Sequence, residues 1–154
     1  SLLQPFGCDF LVNDIIDISD YARLHNLRCV SKEDIYKNAD IITIHAPLTN
    51  KTSNLFNSEV FNMMKSTAFL INTARGGIIN EKDLKFALEN NIISGAALDV
   101  YESETDLNKD LLVLPNLICT PHTGGNSQEA VEAMGLSAIE HLIRYRNERR
   151  LNKN

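Results

Sequence analysis

Four consecutive residues, Ile41-Ile42-Thr43-Ile44, all β-branched and stopped by Pro47, constrain this chain more than any other feature. Such a run predicts a strand buried on both faces, inside a parallel sheet. Ala68-Phe69-Leu70-Ile71, Ala96-Ala97-Leu98-Asp99-Val100 and Leu117-Ile118-Cys119 repeat the pattern. Shorter versions are Phe10-Leu11-Val12, which ends at Asn13-Asp14, and Cys29-Val30. Helical stretches alternate with them. Ser19 is placed to cap a short helix through His25, and Ser31 with Asp34 to cap a turn through Lys37. Further helices are expected over about 58–64, after Asn80 with Leu84, Ala87 and Leu88 on one face, and from about Ser127. The last carries an apolar stripe of Val131, Met134, Ala138, Leu142 and Tyr145 at helical spacing. Alternating strands and helices with short connections predict an α/β fold, a doubly wound parallel sheet of Rossmann type. Its ligand crevice then lies at the carboxyl ends of the strands.

A chain of 154 residues, 44% hydrophobic, is sized for one domain with an attached tail. The expected division is residues 1–126 for the sheet domain and 127–154 for the final helix. No apolar run is long enough to cross a bilayer, and no basic segment followed by an apolar one suggests a secretory signal. The net charge of −5 argues against a general nucleic-acid-binding surface. Five cations against one acid give residues 144–154 a net +4, which reads as a solvated helix end complementing the helix dipole. Cys8, Cys29 and Cys119 have no metal-like or redox-like spacing, so a reducing, cytoplasmic compartment is expected. With His25, His45, His122 and His141 they offer no metal motif, and no metal site is expected. The longest irregular segment, residues 103–116, is of a length often associated with function.

Polar residues follow each strand, and these are the candidates for chemistry. Arg75 stands in Asn72-Thr73-Ala74-Arg75-Gly76-Gly77. Its guanidinium fork suits a carboxylate ligand, and the glycines allow tight turning beside it. His122, in Thr120-Pro121-His122-Thr123-Gly124-Gly125, precedes a helix that Asn126 with Glu129 is placed to cap. Histidine is the usual proton donor near neutral pH. A carboxylate on its far ring nitrogen would keep it oriented and charged, and Glu102 and Glu104 compete for that role on spacing alone. Asp99 ends an apolar strand and is expected to face the crevice. Asp14, at the end of the first strand, is placed like an acid that accepts ribose hydroxyls, which favours NAD over NADP.

These stretches together resemble the NAD-binding domain of the D-isomer-specific 2-hydroxyacid dehydrogenases. The resemblance rests on Phe6-Gly7 through Asp14, Ala39-Asp40 through Thr49, Met64-Lys65, Ile71 through Gly77, Ala96 through Val100 and Thr120 through Gly125, in the family's order. It implies a catalytic Arg75, Glu104 and His122, and selects Glu104 over Glu102. It implies NAD as cofactor, contacted by Asp14, Ala46 with its flanking His45 and Pro47, Thr73, Ala74, Arg75, Asp99, His122 and Gly124. The implied reaction moves a hydride between NAD(H) and a small 2-oxo or 2-hydroxy acid, in a homodimer without nucleic-acid or membrane partners. A non-catalytic relative that senses NAD is the alternative.

The family's G-x-G-x-x-G loop and first strand have no counterpart in this sequence, nor has its substrate domain. The resemblance therefore reads the chain as N-terminally truncated, and by itself inactive and weak in NAD binding. It also leaves the Phe10–Asn13 and Ile41–Ile44 strands without a shared neighbour. Either they pair directly or another chain fills the gap.

Overall fold

A computed structural model describes residues 3–151, without the side chains of the last three. Its elements run in chain order as β1 (Leu11–Val12), α1 (Ser19–Leu24), β2 (Arg28–Cys29), α2 (Lys32–Asn38), β3 (Ile41–Ile44), α3 (Ser58–Met63), β4 (Phe69–Asn72), α4 (Glu81–Glu89), β5 (Gly95–Leu98), α5 (Lys109–Leu112), β6 (Leu117–Cys119) and α6 (Gln128–Leu151). Every strand pairing is parallel. The strands form two sheets, β1-β2 and β3-β4-β5-β6. The chain divides between Cys119 and Thr120 into two compact units, the second consisting of the residues around His122 and helix α6.

Local chemistry accounts for most helix starts. Ser31 Oγ accepts the Asp34 amide at 3.1 Å and donates to its carboxylate at 2.7 Å, so the expected capping pair forms. Asn57 and Asn80 each accept two amides of the following turn, at the starts of α3 and α4. Ser19 does not cap α1; its own N–H and Oγ–H both donate to Asp17, which stabilises that carboxylate and lowers its pKa. Nor does Asn126 start α6. Ser127 Oγ accepts the Ala130 amide, while Asn126 Nδ2 donates back to the His122 carbonyl.

The four-stranded sheet carries its core on one face. Ile42, Ile44, Leu70, Ala96, Leu98 and Leu117 are buried there with Tyr36 of α2, Phe61 of α3, Leu84 and Leu88 of α4 and Leu111 of α5. Each fully buried Leu or Ile contributes roughly 1.5–3 kcal/mol relative to exposure. The opposite face is open. Ile41 is 62% exposed, Phe69 47% and Ile118 69%. The β-branched run therefore alternates outward and inward, and is not buried on both faces as expected. The four branched residues specify a strand, but burial of its second face requires a covering layer, and the described residues of this unit supply none. β1 pairs with β2 and not with β3, so within this chain the two strands do not close on each other.

Candidate functional site

Register brings the carboxyl ends of the sheet into line. Ile44, Asn72, Leu98 and Cys119 are partners across β3, β4, β5 and β6. His45, Thr73 and Asp99 each come one residue later, so they leave the sheet at one edge. His45 is exposed, and its Nε2 lies 3.0 Å from Thr43 Oγ1. Ala46 packs against the core, and the Pro47 carbonyl accepts the Thr52 hydroxyl at 2.7 Å, closing the turn beyond β3.

The Arg75 turn is held by a residue that pattern reading passes over. Asn72 is 1% exposed. Its Oδ1 accepts the Ala74 amide at 3.0 Å and its Nδ2 donates to the Arg75 carbonyl at 2.9 Å. One buried amide side chain thus latches both sides of the turn and leaves the guanidinium exposed, with Nη1 on the Ala74 carbonyl at 2.6 Å. The signal for Asn72 is present in the sequence: a polar side chain at an inward position of an apolar strand needs buried partners. Gly76 follows at a point where an added Cβ would overlap the Tyr101 carbonyl, and Gly77 adopts a left-handed φ of +75°. Glycine meets the first demand because it has no Cβ and the second because it takes a positive φ without strain.

Asp99 is buried at 5% exposure, and its amide donates to the Asn72 carbonyl at 3.0 Å, extending the β4–β5 ladder past the sheet. Tyr101 is buried behind it and donates to the Leu98 carbonyl at 3.3 Å. Burial first, then hydrogen bonding to Cys119 and the charges of Asp99 and Glu81, push the Tyr101 hydroxyl pKa far up, so it stays protonated. Glu104 is exposed in the loop before α5. Glu102 faces a different partner from the one considered for it, the first turn of α4, where its Oε1 accepts the Glu81 amide at 3.0 Å.

Asp14 belongs to the other sheet. It is exposed past the end of β1, with Oδ1 accepting the Ile16 amide at 3.2 Å. With Val12, Asn13, Ile16, Asp17, Ser19 and Cys29 it lines an open recess of mixed polar and apolar character.

In the second unit, His122 has a left-handed φ of +53°, unusual for a residue with a Cβ and costing about 1 kcal/mol or more. Its amide donates to the Thr120 carbonyl at 3.1 Å. Gly124 is exposed in the same turn, and along α6 Val131, Met134, Leu142 and Tyr145 are all about half exposed or more. Among the described residues, no three His, Cys, Asp or Glu side chains are grouped to hold a metal ion. None of the described helices is long and apolar enough to cross a membrane.

Parallel α/β architecture with polar residues gathered at the carboxyl edge defines a doubly wound class of fold whose ligands bind at that edge. Comparison with known proteins narrows it. The sequence profile described as "D-isomer specific 2-hydroxyacid dehydrogenase, NAD binding domain" matches residues 1–124, and the chain belongs to that family. NAD is the cofactor of this domain. A Staphylococcus aureus (strain MRSA252) protein named provisionally as a 2-hydroxyacid dehydrogenase is 50% identical over 105 residues, covering 68% of this chain and 33% of that protein. A Sporolactobacillus D-lactate dehydrogenase structure superposes with a TM-score of 0.77 at 33% identity, over 86% of this chain and 44% of that one. The NAD-complexed D-isomer specific 2-hydroxyacid dehydrogenase of Lactobacillus delbrueckii ssp. bulgaricus gives 0.84 over 95% of this chain and 48% of that one. At 24% identity it speaks for the fold alone. The chain thus spans about a third of the Staphylococcus protein and under half of these two structures.

Proposed function

We propose that this chain supplies the cofactor-binding part of an oxidoreductase that interconverts a 2-oxo acid and a 2-hydroxy acid. The observation that carries the reading is the Asn72-latched turn, which presents Arg75 just past the sheet edge that Asp99 also leaves. NAD, when bound, supplies or accepts the hydride. Arg75 grips the substrate carboxylate through its planar fork and polarises the adjacent carbonyl as negative charge develops there. His122 has the role of proton donor, and Glu104 that of the carboxylate orienting the acid; both roles come from the family pattern. Asp14 accepts from the ribose hydroxyls, with His45, Ala46, Pro47, Thr73, Ala74, Asp99 and Gly124 as the remaining cofactor contacts. The parent protein is read as a cytoplasmic homodimer.

NADH oxidation measured with glyoxylate, hydroxypyruvate and pyruvate, by this chain and by any longer protein containing it, tests the reading. Activity of the longer protein on at least one of them is expected, with a loss of about 10³-fold or more in Arg75→Ala through kcat/KM. No turnover on a broad 2-oxo acid panel, with NAD still bound, would instead favour the non-catalytic relative. No G-x-G-x-x-G run occurs in this sequence to cradle a pyrophosphate, and weak NAD binding by this chain alone is expected. Micromolar affinity by titration calorimetry would contradict that.

A further inference from the structure

Glu81 and Glu102 are engaged in a contact that no assigned role explains. Glu81 is the first residue of α4 and only 9% exposed. Its Oε1 accepts the Glu102 amide at 2.6 Å, while Glu102 Oε1 accepts the Glu81 amide at 3.0 Å. The first amides of a helix have no partner inside it. Asn80 satisfies those of Lys82 and Asp83, and the amide of Glu81 is met by a side chain 21 residues further along the chain. The exchange works like a capping box whose two halves belong to different loops.

Two carboxylates are an expensive choice for this task. Burial of Glu81 disfavours its charge, and the neighbouring Glu102 carboxylate adds repulsion. The arrangement joins two segments that also meet at two further points. At one end the Asp99 amide donates to the Asn72 carbonyl, and in the middle Gly76 lies directly against the Tyr101 carbonyl. The carboxylate exchange closes the other end. Arg75 lies between the first and second of these tethers, and Glu104 lies two residues past the third.

We propose that Glu81 and Glu102 form a reciprocal clasp that sets the Asp99–Glu104 segment against the Arg75 turn, both acting as positioning residues. That they position a catalytic pair rests on the function proposed above; the clasp itself does not. Amide hydrogen exchange in the protein reads the clasp directly, and kinetics in a catalytically active longer protein read its consequence. In Glu102→Ala, exchange at the Glu81 amide is expected to rise about tenfold, with the Leu70 and Ala96 amides unchanged. In Glu102→Gln, which keeps the accepting oxygen, it is expected to stay within about threefold of the parent. Turnover should follow the same order, with kcat lowered about tenfold in the alanine variant, restored by glutamine, and KM for NADH little moved. An unchanged Glu81 amide in Glu102→Ala overturns the clasp. If the alanine variant loosens throughout, the glutamine variant decides, since a freed Glu81 amide in a chain with intact Leu70 and Ala96 protection overturns it equally. Glutamine that keeps the protection but loses kcat overturns the positioning role, because Glu102 would then be acting as a carboxylate in the chemistry. Absence of turnover in every form, parent included, counts against the proposed function and leaves the exchange result standing.

Discussion

At the scale of single residues, the Arg75 turn depends on two side chains of opposite character. Asn72, itself buried, supplies a donor and an acceptor, and Gly76 supplies no side chain where a Cβ would meet the Tyr101 carbonyl. Gly76→Ala is therefore expected to destabilise the protein by about 3 kcal/mol, because the obstacle is backbone and cannot rotate away. A urea midpoint unchanged from the parent would contradict this. Asn72→Ala removes the side-chain partner of the Ala74 amide and of the Arg75 carbonyl, in bonds that are partly buried. A loss of about 2 kcal/mol is expected in the same measurement, with Arg75 less well placed.

Among the elements, α4 couples structure to pH. Burial raises the Glu81 pKa above the ordinary 4.5, outweighing the Glu102 amide that lowers it, and the Glu102 charge raises it further. The folded chain therefore holds this proton more tightly than the unfolded chain. Its contribution to stability is complete below pH 4.5 and is lost as pH rises through the raised folded value. Urea midpoints of the parent and Glu81→Gln, taken from pH 4.5 towards neutrality, should diverge, with the parent losing ground to the variant as pH increases. Parallel curves would mean that Glu81 titrates as a free glutamate.

For the molecule as a whole, the open face of the four-stranded sheet is the dominant feature. Ile41, Phe69 and Ile118 stand on it in water, and the apolar residues of α6 are exposed in their own unit. Parallel sheets ordinarily bury both faces, and exposed apolar strands invite association. The isolated chain is expected to self-associate as its concentration rises, which sedimentation velocity would detect. A single monomeric species over a wide concentration range would contradict this.

Much of this arrangement is legible in local sequence. The strands, the caps at Ser31 and Asn80 and the residues that leave the sheet at His45, Thr73 and Asp99 follow from side-chain branching, periodicity and capping chemistry, which act over a few neighbouring positions. Long-range contacts are a different matter. That Asn72 latches the Arg75 turn, that Gly76 abuts Tyr101, that Glu102 turns to Glu81 and that only one side of Ile41–Ile44 is buried all depend on which distant segments meet. Periodicity describes the preferences of one segment, whereas burial and hydrogen bonding are settled between segments, and only the folded chain brings those together.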